Sequence, residues 1–121
     1  MSKSQNSKQY DLEDRTLAFA KDVRRFVKKL PKTLANIEDG RQLIKASGSV
    51  GANYIEANEA LSKKDFIMRI KICRKEGKES RYWLRLIDTE DNTKLDEERR
   101  DLEREAGELT SIFGSILTKS S

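Results

Sequence analysis

The sequence predicts an all-α fold, an antiparallel up-down four-helix bundle, on three observations. Apolar residues return every three or four positions through most of the 121 residues, the period of helices with one buried stripe. β-Branched runs are few, and the one proline, Pro31, stands between two stripes rather than inside one. The breaks between stripes are short, and short connections make successive helices antiparallel neighbours. One domain of this length buries roughly two-thirds of its unfolded surface.

Residues 1–9 are polar and lack a period, which predicts a flexible arm and leaves 10–121 as the bundle domain. Helix 1 is expected over about 10–30, with Leu12, Thr16, Phe19, Val23, Phe26 and Leu30 as its seam. Pro31 ends it by pushing the preceding residue out of the helical region. Helix 2 is expected over about 34–61, along Ile37, Ile44, Ser47, Gly51, Tyr54, Asn58 and Leu61. Gly40, Gly48 and Gly51 fall inside it, each about 0.8–1 kcal/mol worse than alanine in a helix interior. Close helix approach along Ser47, Gly48, Gly51 and Ala52 would offset that loss. Ser62, followed by Asp65, caps a helix 3 over about 63–90. Asp91-Asn92-Thr93 is a polar break. Helix 4 follows over about 94–118, with Leu95, Leu102, Ala106, Leu109, Phe113 and Ile116 on one side.

Helix 3 has three faces when placed at 100° per residue. Phe66, Ile70, Cys73, Gly77, Ser80, Leu84 and Ile87 form the seam. Met68, Ile72, Glu79, Trp83 and Leu86 form a second stripe, read either as a core flank turned to a neighbouring helix or as a subunit interface, with Asp65, Glu76 and Glu79 in the same sector favouring the interface. The third face carries Lys63, Lys64, Lys71, Arg74, Lys75, Lys78, Arg81 and Arg85 and no acid, with Ile67 and Tyr82 interleaved. Lys64, Lys71, Lys78 and Arg85 repeat every seven residues. At about 1.5 Å per residue the row is about 30 Å long and could track phosphates.

Its alternative is a solvated face, or one neutralised by helix 4. Residues 63–85 carry nine bases and three acids, whereas 88–105 carry four bases and nine acids. The formal net charge is only +4, so distribution matters more than total. Lys21, Arg25, Lys28 and Lys32 on helix 1 are expected to add to the basic side, and partly to complement the helix dipole.

Catalytic chemistry is poorly provided for. The chain has no histidine, so Ser-His-Asp and Cys-His systems cannot be assembled. Zinc would lack both histidine and multiple cysteines. Glu56 and Glu59 lie three apart with no histidine to complete a di-iron pattern. Cys73 lies on the seam and reads as a buried, inert thiol. Gly48-Ser49-Val50-Gly51 matches a Gly-x-x-Gly loop only in letters, since it falls within a helical period. These readings predict no enzyme, no metal and no cofactor. A single cysteine, no signal-like N-terminal stretch and no membrane-length apolar run predict a cytoplasmic protein without membrane association.

A series of marks then points to a family. Asp11-Leu12, Arg15-Thr16, Phe19-Ala20, Val23 and Phe26 are followed by Leu30-Pro31-Lys32-Thr33 and Gln42-Leu43. Next come Ser49-Val50-Gly51-Ala52-Asn53-Tyr54, Glu56-Ala57, Asp65-Phe66, Lys75-Glu76 and Tyr82-Trp83-Leu84. In order and spacing, residues 10–88 resemble the 23S-rRNA intervening-sequence proteins, bacterial four-helix bundles. The chain departs at Gly77, where the family commonly has alanine after Lys-Glu. The resemblance implies a barrel-like homopentamer. It also implies kinship with the accessory variability protein of diversity-generating retroelements, a basic pentamer that binds reverse transcriptase and nucleic acid.

Two functions are therefore expected. One is a homo-oligomeric accessory protein binding RNA or DNA through Lys64, Lys71, Arg74, Lys75, Lys78, Arg81 and Arg85, assembled through Met68, Ile72, Trp83 and Leu86. The other is a protein-interaction scaffold, for a reverse transcriptase or other polymerase, without direct nucleic-acid binding.

Overall fold

Four helix boundaries are set by local hydrogen bonds. After the first helix the chain tightens, Lys29 and Leu30 donating to the carbonyls of Phe26 and Val27, before Pro31. Thr33, in extended conformation, accepts from the Asn36 amide and starts the second helix. Ser62 does the same for the third through the Asp65 amide at 3.1 Å. Asn92 starts the fourth by accepting from the Leu95 amide at 3.0 Å.

The result, in a computed structural model describing residues 7–120 with side chains from Leu12 onward, is four helices and, among the described residues, no strand. They are α1 (Ser7–Lys28), α2 (Leu34–Asn58), α3 (Lys63–Leu86) and α4 (Thr93–Ser120). Of the expected arm, residues 1–6 lie outside the described residues, while 7–9 belong to α1. α1 and α3 each pack against α2 and α4, while the diagonal backbones stay apart and Tyr54 of α2 reaches Phe113 of α4 through the core, ring centroids 5.8 Å apart. That is the square arrangement of an up-down bundle.

Besides the start of α1 at Ser7, two boundaries differ from expectation by three residues or more. α2 stops at Asn58, because Ser62 must be extended to cap α3. α3 stops at Leu86, where Ile87 turns to ψ 135°. The connection that follows is held by side chains: Asn36 bonds the Asp88 backbone, and the buried Thr89 donates to Asp96 at 2.7 Å. Glu90 and Asp91 take left-handed φ values of 54° and 61° there.

The seams of α1, α3 and α4 lie where their periods put them. Phe19, Val23, Phe26, Ile70, Leu84, Leu109 and Phe113 are at most 2% exposed, each worth about 1.5–3 kcal/mol of burial. The seam of α2 requires correction. Its buried residues are Asn36, Gly40, Leu43, Ala46, Ser47, Val50 and Ala57. Ile37 and Leu61 are exposed, and Asn58 lies on the surface, donating to Glu13. The helix is rotated so that Leu43, Val50 and Ala57 point inward, while its glycines lie against α1.

Those glycines set how closely the helices approach. A Cβ on Gly51 would fall 2.8 Å from Thr16 Oγ1 and 3.1 Å from Thr16 Cβ. A Cβ on Gly48 would lie 3.3 Å from Arg24, and Ser47 is fully buried. Ala52 is a correction: it is exposed and takes no part in the packing, since it lies on the outer side of α2. Thr16 is itself fixed, buried and donating to the Leu12 carbonyl at 2.9 Å. We predict that Gly51→Leu forces α1 from α2 and lowers stability by about 2 kcal/mol, within the usual range for overpacking. A thermal melt checks this, and an unchanged midpoint would refute the close-packing account.

Candidate functional site

The basic face is built by the register of α3. Once Ile70, Cys73, Gly77, Ser80 and Leu84 turn to the core, the 100° step places the cations on the opposite, α4-flanking side. Lys63, Lys64, Lys71, Arg74, Lys75, Lys78, Arg81 and Arg85 are all exposed. Arg85 lies 4.0 Å from Glu103. Among the described residues, no carboxylate comes within ion-pairing distance of the other seven.

The acids of α4 go elsewhere. Glu105 and Glu108 clamp Arg15 of α1 at 2.7 and 2.8 Å, and the Glu105 hydrogen bond chiefly raises the Arg15 guanidinium pKa. Glu98 holds Lys29 of α1 at 2.7 Å. Asp96 and Asp101 pair within α4, with Arg99 and Arg104. The counter-charge of α4 thus serves α1 and α4 itself. The basic residues expected on the first helix call for a correction too: α1 is diagonal to α3, so Lys21, Arg25 and Lys28, with Lys32 in the connection beyond, are exposed apart from the α3 row rather than extending it.

Between α3 and α4 runs an open groove. Lys78, Arg81, Tyr82 and Arg85 line one wall, and Gly107, Thr110 and Ser111 the other. The α4 side was not legible as a site, although Gly107 and Gly114, seven residues apart, are one signal that could have found it. Arg81 and Arg74 lie 4.0 and 3.8 Å from where Cβ atoms on these two glycines would sit.

The second apolar stripe divides. Met68 and Leu86 are about half exposed, at 55% and 46%. Ile72 is half-buried and lines a shallow α2–α3 groove with Met68, Glu56 and Glu59. Trp83 is half-buried and packed against the core cluster, which fits the core-flank reading on its inner side and leaves its outer side open. On the same flank, burial pushes the Glu76 carboxyl pKa upward and the neighbouring Glu79 adds to the shift, against Lys75 and Lys45.

Cys73 is fully buried and its thiol donates to the Val50 carbonyl at 3.4 Å. Burial pushes its pKa up to about 12. We predict no reaction with a thiol reagent at pH 8 until denaturant is added, because the thiolate is the nucleophile. Stoichiometric labelling of the native protein would contradict this. Among the described residues, no group of three potential ligands could hold a metal ion, and no helix is long and apolar enough to cross a membrane.

A sequence profile for the 23S rRNA-intervening sequence protein matches residues 8–115, spanning most of all four helices. The chain belongs to this family. A crystal structure from Bacteroides thetaiotaomicron, of a protein with unknown function from the S23 ribosomal protein family, superposes with a TM-score of 0.73. It is 27% identical, over 87% of this chain and 96% of that one. No curated protein matches. Against this family background, Gly77 has a local explanation. A Cβ there would lie 2.7 Å from Thr110 Oγ1, which donates to the Ala106 carbonyl at 2.7 Å. The threonine of α4 occupies the room that an alanine on α3 would need.

Proposed function

We propose that this intervening-sequence protein is a non-enzymatic, homo-oligomeric accessory factor that binds nucleic acid through the α3 face. The observation that carries this reading is the row of exposed cations that, among the described residues, have no carboxylate within ion-pairing distance: Lys64, Lys71, Arg74, Lys75, Lys78 and Arg81, with Arg85 weakly engaged. One acid, Glu79, joins Lys71, Arg74, Lys75 and Lys78 along their groove, whereas at the α1–α4 boundary the cations Arg15 and Lys29 are each held by carboxylates. The family name associates these proteins with ribosomal RNA genes and agrees with a nucleic-acid partner, while leaving RNA and DNA equally open.

Assembly would use the exposed apolar residues Met68 and Leu86 with Ile72, and a pentamer is the number that the family resemblance implies. An oligomer would multiply a weak row into avid binding if several rows reach one strand. The absence of histidine from the sequence supports the non-enzymatic part, and the buried thiol suits a reducing cytoplasm.

The test is retention of labelled RNA and DNA across a salt series, with light scattering to count subunits. Binding should weaken steeply with salt, with a log–log slope of about −0.9 per duplex phosphate neutralised. A second reading, a scaffold for a protein such as a polymerase, draws on the exposure of Met68 and Leu86. It would be favoured by the absence of any salt-dependent retention.

A further inference from the structure

We propose that Tyr82 is a stacking platform for an unpaired base, so that the α3 face takes single-stranded nucleic acid in preference to duplex. The inference rests on the reading of α3 as a nucleic-acid surface and deepens it.

Tyr82 is 57% exposed. The other described aromatic residues, Phe19, Phe26, Tyr54, Phe66, Trp83 and Phe113, are buried or half-buried. The ring lies within the basic row, one helical turn from both Lys78 and Arg85, and shares with them the groove toward α4. It takes no part in the core cluster, and its hydroxyl has no hydrogen-bond partner among the described residues. Among the described residues its one ring contact is with Trp83, T-shaped, with centroids 5.1 Å apart and planes at 75°. Trp83 is packed against the core, so this contact braces the phenol without a parallel ring covering it. Gly107 and Ser111 across the groove are small and leave room above the tyrosine. The nearest acid on its own helix is Glu79, three residues back.

A braced, exposed π-face among cations is the combination that single strands require: charge tracks the backbone and the ring accepts any base. Duplex offers it little. Base faces are stacked inside a duplex and only their edges reach the grooves, so an aromatic ring flush with a helix surface would meet sugar and phosphate. Charge alone gives the cation row no preference for single strands, because duplex carries the denser phosphate charge; Tyr82 supplies the discrimination.

The experiment compares wild type, Tyr82→Leu and Tyr82→Phe in binding oligo(U), oligo(dT) and a mixed-sequence RNA duplex, each of about 20 nucleotides or base pairs and each over a salt series. Wild type and Tyr82→Phe should prefer the single strands. Tyr82→Leu should lose about tenfold on them, the effect of one stacked base, with an unchanged salt slope. Its affinity for duplex should stay the same. Loss on oligo(U) alone would assign the site to RNA, and loss on both to either strand chemistry. Undiminished single-strand binding by Tyr82→Leu, or an equal loss on duplex, would overturn the inference and leave the basic-face reading standing. Failure of wild type to bind any of the three probes would overturn both.

Discussion

Replacing Lys71, Lys78 and Arg85 together by glutamate is expected to abolish retention of RNA and DNA at 0.1 M salt, weakening binding by roughly three orders of magnitude. The three lie seven residues apart on one face, so each meets a different stretch of backbone about 10 Å further along. Each substitution removes an attraction and adds a repulsion, of about 1 kcal/mol apiece at contact distance in water before screening. The carboxylate replacing Arg85 would also face Glu103, which lies 4.0 Å from the present guanidinium. All three side chains are exposed, so the helical circular dichroism and the melting midpoint should change little. The formal net charge moves from +4 to about −2, and a control must separate this from the loss of a particular face. Reversing Lys21, Arg25 and Lys28 on α1 makes the same change in total charge on the diagonal helix. That variant should retain most of the binding. Retention unchanged by the α3 reversal, or equally lost with the α1 reversal, would remove the basis for assigning α3 the site.

The contrast between those two faces was only half legible in the sequence. The α3 row could be read from spacing alone, because a seven-residue repeat of cations stays on one side of a helix whatever it packs against. The destination of the α4 acids could not. Glu98, Glu105 and Glu108 could turn to α1 or to α3, depending on the rotation of α4 about its own axis. That rotation follows from contacts between helices: Leu102, Leu109 and Phe113 enter the core while Thr110 settles against Gly77. No local pattern encodes it. The same physics explains why three seams were legible and the fourth was not. α1 and α4 each carry one clear apolar stripe, and on α3 the seam is longer than the second stripe of Met68, Ile72, Trp83 and Leu86. On α2, the inward Leu43, Val50 and Ala57 compete with Ile37, Ile55 and Leu61, equally apolar yet 45%, 50% and 97% exposed. The decisive α2 contact is made by glycine, which has no hydrophobic signal at all. The aromatic pair Tyr82-Trp83 shows the limit at residue scale. Adjacent in sequence, they lie about 100° apart around the helix, and packing sends Trp83 inward and leaves Tyr82 in solvent.

Asn36→Ala is expected to destabilise the fold as much as truncating a core phenylalanine, although periodicity gave that residue no role. Asn36 is 3% exposed and sits in the first turn of α2. Its Nδ2 donates to the Pro31 carbonyl at 3.0 Å and to the Asp88 carbonyl at 2.8 Å, and its Oδ1 accepts from the Asp88 amide at 3.0 Å. One side chain therefore joins the α1–α2 connection to the chain leaving α3, 52 residues away. Alanine would strand three backbone groups, each worth about 1–3 kcal/mol if left dry. With some water admitted, the loss should be about 4 kcal/mol, or roughly 15 °C in the melting midpoint for a domain of this size. Asn36→Asp discriminates a hydrogen-bond role from simple cavity creation, because it preserves volume. An ionised aspartate keeps the bond from the Asp88 amide but turns a negative oxygen toward two carbonyls. It should be nearly as unstable as alanine at neutral pH. It should recover partly on acidification, as the protonated carboxyl regains a donor; its stability then rises with falling pH, because the folded state binds the proton more tightly than the unfolded one. A variant aspartate as stable as wild type at pH 7 would show that the tie between the two connections is dispensable. A deficit confined to alanine would assign Asn36 to packing alone.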